Sequence, residues 1–99
     1  MSNPLRLKLQ TYTYMGEHVP EHLREALFHF IAAGRPPGNF LAAVLCNDLK
    51  GAMEYADPIS MQHLPAIVGF LYNEAPAACW GSEENYNRWL SYAGGLALA

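Results

Sequence analysis

The sequence predicts an all-α fold, a compact bundle of four to five short helices behind a strand-like or extended N-terminal arm over residues 1–16. Three observations predict it. From residue 20 onward the apolar residues recur at helical spacing. Proline, glycine and the capping residues Asn, Asp and Ser fall where those segments begin and end. Only the first stretch of the chain departs from that period. Residues 17–99 read as a single helical domain, the size at which roughly 60–70% of the unfolded surface is buried and one thin core is possible.

In the arm, Leu5, Leu7 and Leu9 alternate with Arg6, Lys8 and Gln10, and Thr11-Tyr12-Thr13-Tyr14 follows. Period two with β-branched and aromatic residues predicts a strand. No second strand is evident, so its backbone groups need a partner. Another copy of the chain, a partner's sheet or the helices beneath an extended arm would each supply one.

Pro20 and Glu21 then open a helix, the proline suited to its first turn and the acid to its positive end. Leu23, Ala26, Leu27, Phe30 and Ile31 form one apolar stripe, with His22, Glu25 and His29 on the other side. Gly34 stops it and Pro36-Pro37 forbids continuation. Asn39 is the expected cap of the next segment, which is either one helix from about 39 to 56 or two broken at Asn47-Asp48. The break is favoured, because Asn and Asp compete with the helix for backbone hydrogen bonds. Asp57-Pro58 is a cap followed by a first-turn proline, and Pro65 sets the main helix to start near Leu64. From Ala66 to Tyr72 there is no charge, which predicts a central helix buried on nearly all sides, ended by Asn73 and Pro76. Ala77 to Gly81 is a loop. Ser82 caps a last helix with Glu83 and Glu84 in its first turn and Tyr86, Trp89, Leu90 and Ala93 facing inward. Gly94-Gly95 is its expected stop, and the apolar tail 96–99 is expected to return to the core.

Composition narrows the function classes. The chain is 52% hydrophobic but only 15% charged, below the roughly 25% of ordinary soluble domains, which points either to a surface relying on His, Asn, Gln and Tyr or, the favoured reading, to one covered by a partner. The cations Arg6, Lys8, Arg24, Arg35, Lys50 and Arg88 are scattered and outnumbered by nine acids, so nucleic-acid binding is disfavoured. Cys46 and Cys79 lie too far apart for a metal knuckle, and two cysteines make no disulfide framework. No signal peptide and no membrane-spanning run are recognisable, so a cytoplasmic protein without membrane contact is expected.

No catalytic motif emerges. His18 and His22 are separated by Pro20, His22 and His29 are two turns apart, and His63 has no companion, so no metal and no cofactor are expected. Cys79 near a helix start and Ser82 at it could serve nucleophilic chemistry. Capping explains Ser82 and loop packing explains Cys79 equally well. The candidate partner-binding residues are Tyr12 and Tyr14 on the arm, and Tyr72, Asn73, Glu74 and Trp80 at the end of the uncharged helix, where aromatic area meets hydrogen-bonding groups. For Asn73 a helix cap, and for Trp80 a core plug, is the competing reading.

The pattern Pro36-Pro37-Gly38-x-Phe40-Leu41-x-Ala43-Val44-Leu45-x-Asn47-Asp48-Leu49, then Ala56-Asp57, Phe70-Leu71-Tyr72-Asn73-x-x-Pro76 and Cys79-Trp80-Gly81-Ser82, resembles a group of small proteins encoded by tailed phages and prophages. The likeness covers about residues 19 to 95. It implies an origin and a compartment, the infected bacterial cytoplasm, and brings no activity, cofactor or catalytic residue. The expected function is therefore a non-enzymatic accessory protein that binds a host or phage protein, for example to inhibit a host defence, with a homo-oligomer through the arm as a further expectation. The alternatives are a small enzyme or ligand-binding domain using the Tyr72–Ser82 region, and a nucleic-acid-associated replication or regulatory accessory.

Overall fold

The computed structural model describes the backbone of residues 3–98 and the side chains of residues 3–91. It is mostly helical, and the N-terminal segment differs from the expected arm. Residues Pro4–Thr11 form a helix, α1, instead of a strand. Asn3 caps it by accepting from the Leu5 amide at 2.8 Å, and Pro4 occupies the first position. The alternation of leucines misleads because Leu5 and Leu9 are also i and i+4. Leu9 is buried and Leu5 half-buried, while Leu7 points to solvent. Neighbouring α2 gives this stripe its burial, which a lone strand would have lacked.

The strand character survives only at Thr13–Tyr14 (β1), which pairs antiparallel with Glu17–His18 (β2). The two residues between, Met15 and Gly16, both have positive φ, as a tight type I′ hairpin requires. The strand partner is thus internal, four residues downstream.

Helix α2 (Glu21–Ala33) buries Leu27, Phe30 and Ile31, with Leu23 and Ala26 at the edge of the same stripe. Gly34 ends it in the left-handed conformation and donates to the Phe30 carbonyl at 2.8 Å. The 39–56 segment is two helices, α3 (Asn39–Leu45) and α4 (Leu49–Tyr55), broken at Cys46-Asn47-Asp48. Asp48 caps α4 through the Gly51 amide at 3.0 Å. Asn39 is not a cap. Gly38 holds that position, and Asn39 is already inside the helix with no side-chain capping bond.

Asp57 caps α5 (Pro58–Gln62) as expected, and α6 (Leu64–Glu74) starts at Leu64. A 3₁₀ turn at Ala77–Cys79 leads to α7 (Glu83–Leu98), whose first turn is capped by Ser82 through the Asn85 amide. Its backbone runs through Gly94-Gly95, so the expected stop there does not occur. The inward placement of Ala93 and the return of 96–99 to the core lie outside the described side chains.

The core joins α2, α3, α6 and α7. Phe30 stacks on Tyr86 with centroids 5.4 Å apart, and the Trp89 indole donates to the Phe30 carbonyl at 3.1 Å. Leu41, Leu45, Ile67, Phe70 and Leu71 fill the space between them. α1 closes one side by laying Leu9 against α2, with Arg6 stacked over Phe28 and paired with Glu25. The radius of gyration, 12.7 Å, is that of a compact chain of this length.

Helix α6 is not buried all round. Ala66, Ile67, Phe70 and Leu71 face the core, whereas Val68 is 37% and Tyr72 78% exposed. Lack of charge does not equal burial. Leu71→Ala is therefore expected to cost about 2–5 kcal/mol in urea unfolding, and Val68→Ala under ~1 kcal/mol. Equal losses at the two positions would overturn this one-sided burial.

Candidate functional site

The proposed contact residues converge on α6, with one exception. Tyr12 follows α1 and lays its ring edge-on against Phe70, centroids 5.7 Å apart. Its hydroxyl accepts from Asn73 Nδ2 at 3.1 Å, and the same amide donates to the Gly69 carbonyl at 3.0 Å. Lys8, one turn before Tyr12, pairs with Glu74, the residue after Asn73, at 3.3 Å. Tyr12, Asn73 and Glu74 therefore fasten the N-terminal segment to α6. Asn73 is not the helix cap, a position held by Ala75.

Gly69 makes this possible. A Cβ there would stand 2.7 Å from the Tyr12 hydroxyl and 3.4 Å from the Tyr14 ring. A side chain there would force the Tyr12 hydroxyl to shift, whereas the Tyr14 ring of the hairpin would meet it at ordinary contact distance. Tyr14, 42% exposed, and Tyr72 then flank a shallow groove of about 320 Å³ floored by Pro65, Val68 and Gly69. Trp80 sits apart. It lines a small neighbouring cleft with Val44, Leu49, Ala52 and Leu64, and Val68 borders both spaces. The Trp80 loop is pinned where the Gly81 amide donates to the Leu45 carbonyl at 2.7 Å and Asn85 Nδ2 to the Trp80 carbonyl at 3.0 Å.

A third apolar surface corrects the sequence reading, in which Leu49, Ala52, Met53 and Ala56 repeat the inward spacing of α3; Ala52 is buried, but Leu49 and Met53 face outward. Leu49 and Met53 on α4, with Met61 and Leu64 across from them, line an open groove of about 720 Å³ that also includes Lys50 and Glu54. Leu49 is 75% and Met53 66% exposed. The signal was present, since Leu49 and Met53 share a stripe, but a stripe does not say whether its own chain covers it.

The groups that could do chemistry are held in structural roles. Cys79 is fully buried, and that burial pushes its thiol up to about 11, leaving little thiolate near neutrality. Burial likewise raises Cys46, with Glu83 and Asp48 adding to it. Ser82 is engaged as a cap. His22, Asp57 and Ser60, distant in sequence, come together, but both contacts use one nitrogen. His22 Nε2 lies 3.2 Å from Asp57 Oδ2 and 3.3 Å from Ser60 Oγ. A relay needs the carboxylate and the hydroxyl on opposite ring nitrogens, so this cluster ties α2 to α5. His29 pairs with Glu25 at 3.3 Å, and His63 Nδ1 lies 3.0 Å from Glu17 Oε2, outside hydrogen-bond alignment. Among the described residues no group of three or more His, Cys, Asp or Glu could hold a metal ion, and no helix is long and apolar enough to cross a membrane.

Neither a family model, nor a curated protein, nor a solved structure matches the chain.

Two outcomes follow from this geometry. Gly69→Ala should destabilise by roughly 1–3 kcal/mol, although alanine is the better helix former, because Tyr12 must move. Adding Tyr12→Phe should recover part of that loss, and a double-mutant cycle with no coupling would remove the close approach as its cause. The second concerns Asp57. The Ser60 amide, 2.7 Å from Oδ1, holds its carboxyl below the usual aspartate range, the Ser60 hydroxyl and His22 adding to this and desolvation opposing it. A carboxyl lowered by folding stabilises the protein above its unfolded pKa, and that contribution is lost as pH falls through the folded value. Wild type should therefore melt above Asp57→Asn from about pH 5 upward, and the gap should close toward acid. A gap that stays constant or widens in acid would contradict the assignment.

Proposed function

We propose that the protein acts by stoichiometric binding to another protein, through the face formed by Tyr14, Val68 and Tyr72. The carrying observation is Tyr72, a large aromatic side chain left 78% exposed on a helix whose opposite side is core. Tyrosine joins apolar area to a hydroxyl at little conformational cost, and is enriched where binding energy concentrates. Tyr14 stands across the groove from it, held by the hairpin and by the contact at Gly69. Preorganisation of that kind lowers the entropy lost on docking. The residues between them carry no charge, and Glu17 and Glu74 lie nearby in the sequence and the fold. A net charge of −3 favours a basic partner, including one that otherwise holds nucleic acid.

The resemblance to tailed-phage and prophage proteins supports a partner in the infected bacterial cytoplasm, a host or phage protein, with inhibition of a host defence protein as the concrete form. Of the residues expected to contact it, Tyr14, Tyr72 and Asn73 line this groove, and Tyr12 and Glu74 tie the N-terminal segment to the same helix.

Removing residues 1–15 would not test this, because it takes Leu9 out of the core along with the tyrosines. Substitutions at exposed positions do. A protein captured from host lysate by wild type, then purified, should bind it in a fixed molar ratio by calorimetry. Tyr72→Ala should weaken that binding about 30-fold, the loss of a hot-spot residue, with an unchanged melting curve. Unaltered affinity in Tyr14→Ala/Tyr72→Ala would remove this face. Repeated turnover of any substrate would place the protein among enzymes.

A further inference from the structure

The groove beside α4 carries an inference independent of the partner just described. Leu49 and Met53 lie one turn apart on α4 and are largely exposed. Lys50 and Glu54 follow each by one residue, so they form a parallel charged row beside the apolar one, about 100° round the helix. The two charges are i and i+4, in the order that pairs poorly within a helix. Neither makes an ion pair among the described residues, where Arg6, Lys8 and Arg88 do.

An apolar row next to one cation and one anion is self-complementary under a two-fold axis. If two α4 helices meet antiparallel, with the axis midway between positions 50 and 54, Lys50 of each copy faces Glu54 of the partner subunit. Both charges are satisfied by the same operation. In that arrangement Leu49 and Met53 approach the groove bordered by Met61 and Leu64 of the other copy. An unrelated protein would have to supply both charges, in the opposite order, beside its own apolar row. A second copy of this chain supplies them already, and isologous contact is the commonest way subunits pair. The 15% charged content has the same sense, because a dimer removes part of the apolar surplus from water.

We propose that the protein is a two-fold homodimer in which antiparallel α4 helices pack through Leu49 and Met53, with Lys50 and Glu54 paired across the axis. In this arrangement the joint is α4, and the N-terminal strand β1 pairs with β2 of its own chain.

Sedimentation equilibrium on the full chain tests this. At about 100 µM, within the range of weak but specific association, wild type should sediment at twice the 11.0 kDa of one chain. Met53→Asp should give the monomer. Lys50→Glu and Glu54→Lys should each raise the dimer dissociation constant about tenfold or more, because each reversal replaces two attractive contacts with two like-charge ones. Lys50→Glu/Glu54→Lys in one chain should return to the wild-type constant. An equimolar mixture of the two single variants should form a heterodimer at near wild-type strength. The positions are exposed, so circular dichroism melts taken at dilutions where every variant is monomeric should nearly coincide, and only wild type and the double variant should gain stability as concentration rises. A monomeric wild type at that concentration, or a dimer indifferent to Met53→Asp, would overturn the interface. Single reversals without rescue by the double variant would overturn the antiparallel pairing. Because Tyr72 lies outside this contact, loss of the dimer with Tyr72-dependent partner binding intact separates the two proposals.

Discussion

The close approach of Tyr12 to the backbone of α6 at Gly69 fixes how residues 3–18 lie against the domain. With only hydrogen at that position, the ring can reach Phe70 and the hydroxyl can meet Asn73, so the chain after α1 is held against the domain. That contact carries others with it. Leu9 before it and Val19 after it are among the most completely buried side chains. In a domain of this size such residues are a substantial part of the core, since a short chain has little else to bury. The hairpin, the Lys8–Glu74 pair and the orientation of Tyr14 all follow from the same anchoring. The N-terminal segment is therefore structural, and the candidate site is built on it.

The elements most legible in the sequence are those governed by local chemistry. Pro20 through Gly34, Asp57-Pro58 and Ser82 with its two glutamates each announce a helix end through groups that must be satisfied within a turn. The break at Asn47-Asp48 belongs with them, with Asn47 in the left-handed conformation that asparagine tolerates. What was not legible depended on distant residues. Leu5-Arg6-Leu7-Lys8-Leu9 fits two periods at once, and only the α2 stripe opposite selects the helical one. Asn39 and Gly38 are both acceptable caps, and the chain leaving Pro37 places glycine there at φ 94. At Gly94-Gly95 the intrinsic cost of about 1 kcal/mol per glycine is a weak prior, not a stop.

The candidate site divides along the same line. A sequence pattern could bring Tyr72, Asn73 and Glu74 to attention because they close an uncharged helix. It could not show that Asn73 and Glu74 meet partners 61 and 66 positions away, Tyr12 and Lys8, or that Tyr72 has no such partner among the described residues. His22, Asp57 and Ser60 were equally invisible as a group, being joined only by the packing of α2 on α5. The lack of charge around Val68 places it in the core, yet an uncharged helix can equally well turn apolar residues outward.

That outward turn has a direction. On the α1–α2 side the charged groups are mutually engaged, with Arg6, Glu25 and His29 in a connected row and Arg24 donating to the Val19 carbonyl. Of the exposed large apolar residues, Leu49, Met53, Tyr55, Val68 and Tyr72 lie on α4 and α6, with Leu7 on α1, Tyr14 and Met15 in the hairpin and Ile59 on α5. Among the described residues, Arg6, Lys8 and Arg88 are held by carboxylates and Arg24 by a carbonyl, which leaves Arg35 and Lys50. A nucleic-acid surface needs a row of cations ready to replace counterions, and two that are fifteen positions apart make a poor one. The asymmetry instead suits protein contact. One face is self-satisfied and stays in water, and the other has apolar area whose burial by a protein surface lowers the free energy in proportion to its extent.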